Sequence, residues 1–291
     1  MPNEPATPAG DGGLVRLRLD VSYDGTGFSG WAKQPGRRTV QGLLEDALAK
    51  QPPGAAVPRS VVVAGRTDAG VHASGQVVHV DVVPFASAPD RLPVDERGIF
   101  DLDRMCHRWN RYLPGDVRVL AARVAPEGFD ARFSAVRRHY RYQVSDAVWG
   151  VDPLRRNDTL GWGRPLGVGR MNVASEALLG LRDFAAFCRQ RETGTTIREL
   201  QRLIWQRTDE HLVQMLISAD AFCHSMVRSV VGALLLVGDG RRDVDWPARL
   251  LRGGVRDSAV APAHGLTLIG VDYPPDHELA ARAEQTRNVR G

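Results

Sequence analysis

Lysine is almost absent from this 291-residue chain: Lys33 and Lys50 stand alone among 38 basic side chains, and the rest are arginines. A guanidinium offers a planar fork that matches phosphate and stacks on bases, which an ammonium does not. Genomic base composition alone can favour arginine codons over lysine codons, and the net charge is only +4, so clustering of arginines, rather than their number, points to nucleic acid. Cysteine is scarce too. Cys106, Cys188 and Cys223 are odd in number and scattered, which excludes a small disulfide scaffold. With the eight histidines they form neither CxxC nor HxxxH, only the adjacent pairs Cys106-His107 and Cys223-His224, so metal binding is not expected. No GxxxxGK loop is present and no GxGxxG opens a helix, which argues against ordinary nucleotide or dinucleotide use. No apolar run approaches the ~20 residues of a membrane helix, and the longest, from Ser229 to Val237, contains Gly232. The opening MPNEPATPAGDGG lacks the basic and apolar stretches of a signal peptide. Together these absences predict a soluble protein in a reducing, cytoplasmic setting.

What is present is enough for a substantial core: 43% of residues are apolar and 25% charged. The length suits one large or two modest domains. Residues 1–13 and 276–291 read as polar tails. Between them, period-two alternation predicts strands at Val15 to Tyr23, Ser60 to Ala64, Gln76 to Val83, Val117 to Val124 and Val136 to Ser145. Further strands are predicted at Leu266 to Tyr273 and in a hairpin of Ile197 to Arg207 with Leu212 to Ala219. Helical spacing predicts helices after Thr39, at Leu102 to Leu113, Asn172 to Leu181, Phe222 to Val237, and from Asp245-Trp246-Pro247. Hairpin-like pairs outnumber βαβ crossovers. The expected fold is α+β in two similar halves, 14–130 and 131–275, each a mainly antiparallel sheet with helices on one side, joined around a central cleft.

Three segments can carry chemistry. In the loop Ala64 to Ala73, Asp68 stands two residues from Arg66 between two strands, with glycines allowing close approach of another backbone. A carboxylate so placed suits a nucleophile or general base, although Thr-Asp-Ala-Gly also reads as an ordinary turn. The run Asp130 to Tyr142 interleaves Arg132, Arg137, Arg138 and Arg141 with Tyr140 and Tyr142, as a strand meeting phosphates and stacking on bases would, or as a solvated sheet edge would. In Phe222 to Arg228, Arg228 sits at the head of an otherwise apolar helix, where burial demands a counter-charge. Asp220 is the local candidate and Asp68 the distant one.

With those segments in hand the chain closely resembles the tRNA pseudouridine synthase A family. Tyr23-Asp24-Gly25, Phe28, Gly30-Trp31, the GRTDAGVH run from Gly65 to His72, Ala131 to Ala135 and Tyr140-Arg141-Tyr142 carry the likeness. Phe222, Met226-Val227-Arg228, Ala261-Pro262 and Gly265-Leu266 continue it in family order. The resemblance implies an isomerase that converts uridine to pseudouridine at positions 38, 39 and 40 of the tRNA anticodon arm. It further implies two α+β halves with the active cleft between them, a homodimer, and no metal or organic cofactor. By position, Asp68 matches the family's nucleophile, Tyr140 the tyrosine packing on the target base, and Arg228 the arginine paired with the aspartate. Arg66 matches the residue filling the space left by a flipped base, and His72, Arg132, Arg137, Arg138 and Arg141 look like tRNA contacts.

The segment 84–101 is longer than the family's usual connection, and Arg111-Tyr112 places bulk between Asn110 and Leu113-Pro114. Two other readings compete. A silent RNA-binding relative would lack Asp68, Tyr140 or Arg228, and all three are here. A nucleoside-cleaving enzyme would want a second carboxylate, for which Asp24 or Asp81 would have to serve.

Overall fold

The computed structural model describes residues 14–50, 60–82, 101–189, 195–254 and 259–290. The tail 1–13 and the long connection up to residue 100 lie outside the described residues.

The first strand, β1 (Val15–Tyr23), alternates buried and half-buried residues along its whole length, so its apolar side chains enter one core while Arg16, Arg18, Asp20 and Ser22 face away. Thr39 then caps α1 (Val40–Leu48), its hydroxyl accepting from the Gly42 N–H at 3.3 Å. Next come β2 (Val62–Val63) and β3 (His72–Val82), which begins at His72 rather than Gln76 and so shortens the loop before it. α2 (Leu102–Tyr112) and β4 (Val117–Val124) follow. After β4 come β5 (Arg137–Ser145), β6 (Leu160–Gly161), α3 (Val168–Glu176) and β7 (Gly180–Asp183). The expected hairpin is β8 (Ile197–Asp209) with β9 (Leu212–Ala219). The chain ends with α4 (Met226–Gly238), α5 (Trp246–Gly253), β10 (Leu266–Asp272) and α6 (Leu279–Arg290).

The fold is mixed α and β with a largely antiparallel sheet. Where the alternation suggested a sheet in each half, the strands join into one ten-stranded sheet, ordered β4-β1-β3-β10-β5-β9-β8-β7, with β2 beside β3 and β6 beside β5. The link is β10, which runs antiparallel to β5 but parallel to β3 through Thr267–His72 and Leu268–Ala73. Alternation marks a strand but does not name its neighbour. One apolar core lies between this sheet and helices α1 to α5, and includes Leu17, Leu44, Trp109, Tyr142, Met171, Val230 and Trp246.

One bridging device recurs. On α2, the Asn110 amide donates to Val119 O and its carbonyl accepts from Val119 N–H, at 2.8 and 2.9 Å. On α3, Asn172 does the same with Trp205, at 2.9 and 2.8 Å. In each case a helix side chain satisfies both backbone groups of one strand residue.

The segment 276–291, expected to be a polar tail, instead carries α6. Leu279 and Ala283 are buried, and Leu279 packs with Ala64, Val77, Phe129 and Ala131 in a second small core. Arg287 adds an ion pair to Asp130 at 3.0 Å. Two apolar residues one turn apart are too sparse a signal to read as a buried helix.

Candidate active site

The loop between β2 and β3 is fixed from below. Tyr23 and Thr67 share a hydroxyl hydrogen bond of 2.8 Å. The Gln76 amide, fully buried, donates to Tyr23 Oη at 3.2 Å and to Gly65 O at 2.9 Å. From the side, Trp31 N–H donates to Thr67 O at 3.0 Å. Gly30 makes that approach possible: its φ is +91°, and a Cβ there would lie 3.1 Å from Thr67 O and 3.2 Å from Ala69 N. Only glycine tolerates both the angle and the contact. The turn closes when Val71 N–H donates to Asp68 O at 3.1 Å.

Asp68 therefore stands on a rigid loop with its carboxylate partly exposed. Arg228 Nη1 lies 3.6 Å from Oδ2, and His224 Nε2 lies 3.4 Å from Oδ1, so each oxygen has its own cationic or polar neighbour. Arg228 is held in turn by Nε donating to Ala261 O at 2.7 Å. Asp220, the local alternative partner, accepts instead from Glu199 N–H at 2.9 Å. α4 starts at Met226 and not Phe222 because Ser225 takes a left-handed conformation, φ 64°. That kink, uncommon for a non-glycine residue, turns the chain between His224 and the helix bearing Arg228.

Tyr140 lies on β5, buried, with its ring edge-on to Phe222 at a centroid distance of 5.3 Å. Burial raises its pKa well above the ordinary phenol value, Tyr23 and Asp68 add to that rise, and Arg138 opposes it. On β1 beneath the loop, burial pushes Tyr23 up to about 12 despite its bonds to Thr67 and Gln76.

The structure divides the expected nucleic-acid contacts. Arg66, Arg132 and Arg137 are exposed. Arg132 stacks on Phe133 at 5.0 Å, and Arg137 donates to Gln201 Oε1 at 2.5 Å. Arg141 is half-buried with Asp158 3.9 Å away. Strand alternation puts Arg137 and Arg141 on the side opposite Tyr140 and Tyr142, so the run is not one surface. Tyr142 is fully buried and donates to Pro262 O at 2.8 Å. His72 is also internal. Its Nδ1 accepts from Gly25 N–H at 3.0 Å, which puts the proton on Nε2, and Nε2 donates to His264 O at 2.9 Å. With Asp24 Oδ1 also 3.1 Å from Nδ1, both ring nitrogens of His72 face protein atoms, and the side chain ties the loop to the Gly25 turn. Arg138 is buried as well and donates to four backbone carbonyls.

Neither other carboxylate serves Asp68. Asp81 accepts a two-pronged bond from Arg16 at 2.7 and 2.8 Å. Asp24 caps the turn at Thr26; burial would raise its pKa, but the bonds from Thr26 hold it below the ordinary value. His224 is the neighbour that sequence reasoning missed, because it sat beside Cys223 and was read only as half of a failed metal pair. Cys223 is bonded to Cys188 in a disulfide, which scattered cysteines in an expected reducing setting did not suggest.

The chain as a whole is similar to known proteins. The tRNA pseudouridine synthase family model matches residues 21–134 and 174–274. The tRNA pseudouridine synthase A of Frankia casuarinae is 57% identical over 280 residues, covering 96% of each chain. That of Mycobacterium leprae is 53% identical over 278 residues, covering 95% of this chain and 96% of its own. The Streptomyces avermitilis enzyme of the same name is 52% identical over 281 residues, 96% of this chain and 95% of its own. The family model spans the loop of Asp68 and the helix of Arg228, and with relatives this similar over nearly the whole chain it leaves one assignment: the chain belongs to the tRNA pseudouridine synthase family.

Proposed function

We propose that this protein isomerises uridine to pseudouridine at positions 38, 39 and 40 in the anticodon arm of tRNA, with Asp68 as the nucleophile. The observation that carries the reading is the carboxylate of Asp68, partly open to solvent on a pinned loop, with Arg228 and His224 against its two oxygens. A partly exposed carboxylate fixed on a pinned loop is placed to act as a nucleophile.

In the reaction the N1–C1′ bond breaks, the uracil turns, and C5 bonds to C1′. C5 then loses its proton while N1 gains one, so no atom is gained or lost overall. Asp68 would add at the sugar C1′ or the ring C6, or remove a sugar proton. Tyr140, buried with its ring edge-on to Phe222, is the candidate that takes the C5 proton. A target base in a stem is extruded before it reacts, and Arg66, exposed two residues from Asp68, is the candidate for the space it leaves. Within the run from Asp130 to Tyr142, Arg132 and Arg137 are the exposed arginines and so the candidates for phosphate.

The assembly proposed is a cytoplasmic homodimer, supported by the exposed apolar residues Val148, Trp149 and Leu154. Sedimentation of the purified protein tests it. Mapping pseudouridine in tRNA from cells with and without the protein tests the activity: loss at 38, 39 and 40 supports it, and an unchanged map refutes it.

A further inference from the structure

Arg138, expected from the sequence to meet phosphate, is 5% exposed and spends its guanidinium on the protein's own backbone. Its Nη2 donates to Ala64 O at 2.9 Å and Arg132 O at 2.7 Å. Its Nη1 donates to Asp220 O at 2.8 Å and, more weakly, to Ala135 O at 3.3 Å. The four carbonyls belong to three separate stretches of chain. Ala64 is the last residue before the Gly65-Arg66-Thr67-Asp68 run. Asp220 opens the stretch that leads to His224 and Arg228. Arg132 and Ala135 form the turn that feeds β5, and Tyr140 follows Arg138 on that strand by two residues, on the same side.

One guanidinium thus joins the segments bearing Asp68, Tyr140 and Arg228 at a single point. Bonds from a charged donor to carbonyls are about twice as strong as neutral ones. A planar five-donor fork can serve four acceptors at once, whereas an ammonium has three donors on a flexible stem. Spacing between the three reacting groups is therefore set here, away from solvent.

We propose that Arg138 is a positioning residue for the isomerisation, holding the Asp68 loop at its working distance from Tyr140 and from the His224–Arg228 stretch, and that it makes no contact with tRNA. This rests on the reading that Asp68 and Tyr140 act on a tRNA uridine.

The test uses the full chain with Arg138→Lys and Arg138→Met, measuring single-turnover pseudouridine formation at saturating enzyme, tRNA Kd and its salt slope, and melting. The rate is expected to fall at least ~10-fold for the lysine variant and on the order of 100-fold for methionine, as a displacement of about 1 Å in a reacting group costs. Kd should stay within ~3-fold, and the salt slope, which counts phosphates neutralised, should not change. Hydrogen exchange should quicken together in residues 65–70 and 221–225. A weaker Kd with a slope shallower by ~0.7–0.9 and an unchanged saturated rate would make Arg138 a phosphate ligand and overturn the proposal. Lower melting with wild-type rate and Kd would reduce Arg138 to a strut of the fold, and failure of both variants to fold would do the same. Wild-type protein in the same assay separates the two readings: if it forms no pseudouridine the function is wrong, and if it does while the variants match it only this inference is.

Discussion

Arg228 Nη1 stands 3.6 Å from Asp68 Oδ2, although one residue comes from a helix late in the chain and the other from a loop near its start. The distance is that of an ion pair, longer than a hydrogen bond, and both side chains keep some exposure. The pair costs less desolvation than a fully buried one and leaves Asp68 open to a substrate. Ala261 O, bonded to Arg228 Nε, keeps the guanidinium aimed.

Arg228→Met is therefore expected to lower single-turnover activity about as far as Asp68→Asn, and the double variant to be little worse than either. Groups acting as one unit show this non-additivity. Additive losses in a double-mutant cycle would dissolve the pair. A defect in Arg228→Met that excess tRNA relieves would assign the arginine to phosphate.

Binding to tRNA should depend on salt through the exposed arginines only. Log Kd is expected to change linearly with log salt, and Arg132→Ala or Arg137→Ala should each lessen the slope by about 0.7–0.9. Titrations at four salt concentrations measure this. A slope unaffected by both changes would move the phosphate contacts elsewhere.

His79 predicts a pH effect on stability. Its Nδ1 accepts from Ala131 N–H at 2.9 Å beneath the turn that leads to β5. Burial first, then the Arg16 charge, push its pKa from 6.5 down to about 4. The unfolded chain takes up this proton as pH falls through 6.5, and the folded protein does not until about 4. The stability contributed is thus complete above pH 6.5 and drains away between 6.5 and 4, by up to roughly 3 kcal/mol. Denaturant melts of wild type and His79→Asn across that window should converge as pH falls, and parallel curves would contradict the assignment.

Gly30→Ala should damage activity, because Gly30 is buried against the loop of Asp68. The new Cβ would press on Thr67 O and Ala69 N in the loop of Asp68, at a φ of +91°. A non-glycine residue in left-handed space costs about 1–2 kcal/mol. Melting should drop by that amount and single-turnover rate should fall with it, at unchanged tRNA Kd.

Strand β1 could be read in full because its two faces meet different media, and alternation records nothing else. The GRTD loop and the helix of Arg228 were legible as unusual segments, and their likeness to a family tied them together. Three things were not legible, for separate reasons. The arginines of Asp130 to Tyr142 form one cluster in sequence, but a strand sends neighbours to opposite faces, so Arg138 and Arg137 meet wholly different surroundings. His224 gains its place from the left-handed turn at Ser225, which serine's composition signal does not announce. And β10 joins the two groups of strands by a parallel pairing with β3, a long-range choice that no local pattern encodes.

The most direct measurement is pseudouridine formation at positions 38, 39 and 40 of a tRNA transcript by wild type and Asp68→Asn, with free uracil and tRNA binding followed in the same samples. Wild type should form pseudouridine without releasing uracil, and Asp68→Asn should bind tRNA and remain folded but form none. Turnover by Asp68→Asn within about tenfold of wild type, which is under 1.4 kcal/mol of barrier, would contradict the account, as would stoichiometric uracil release by wild type.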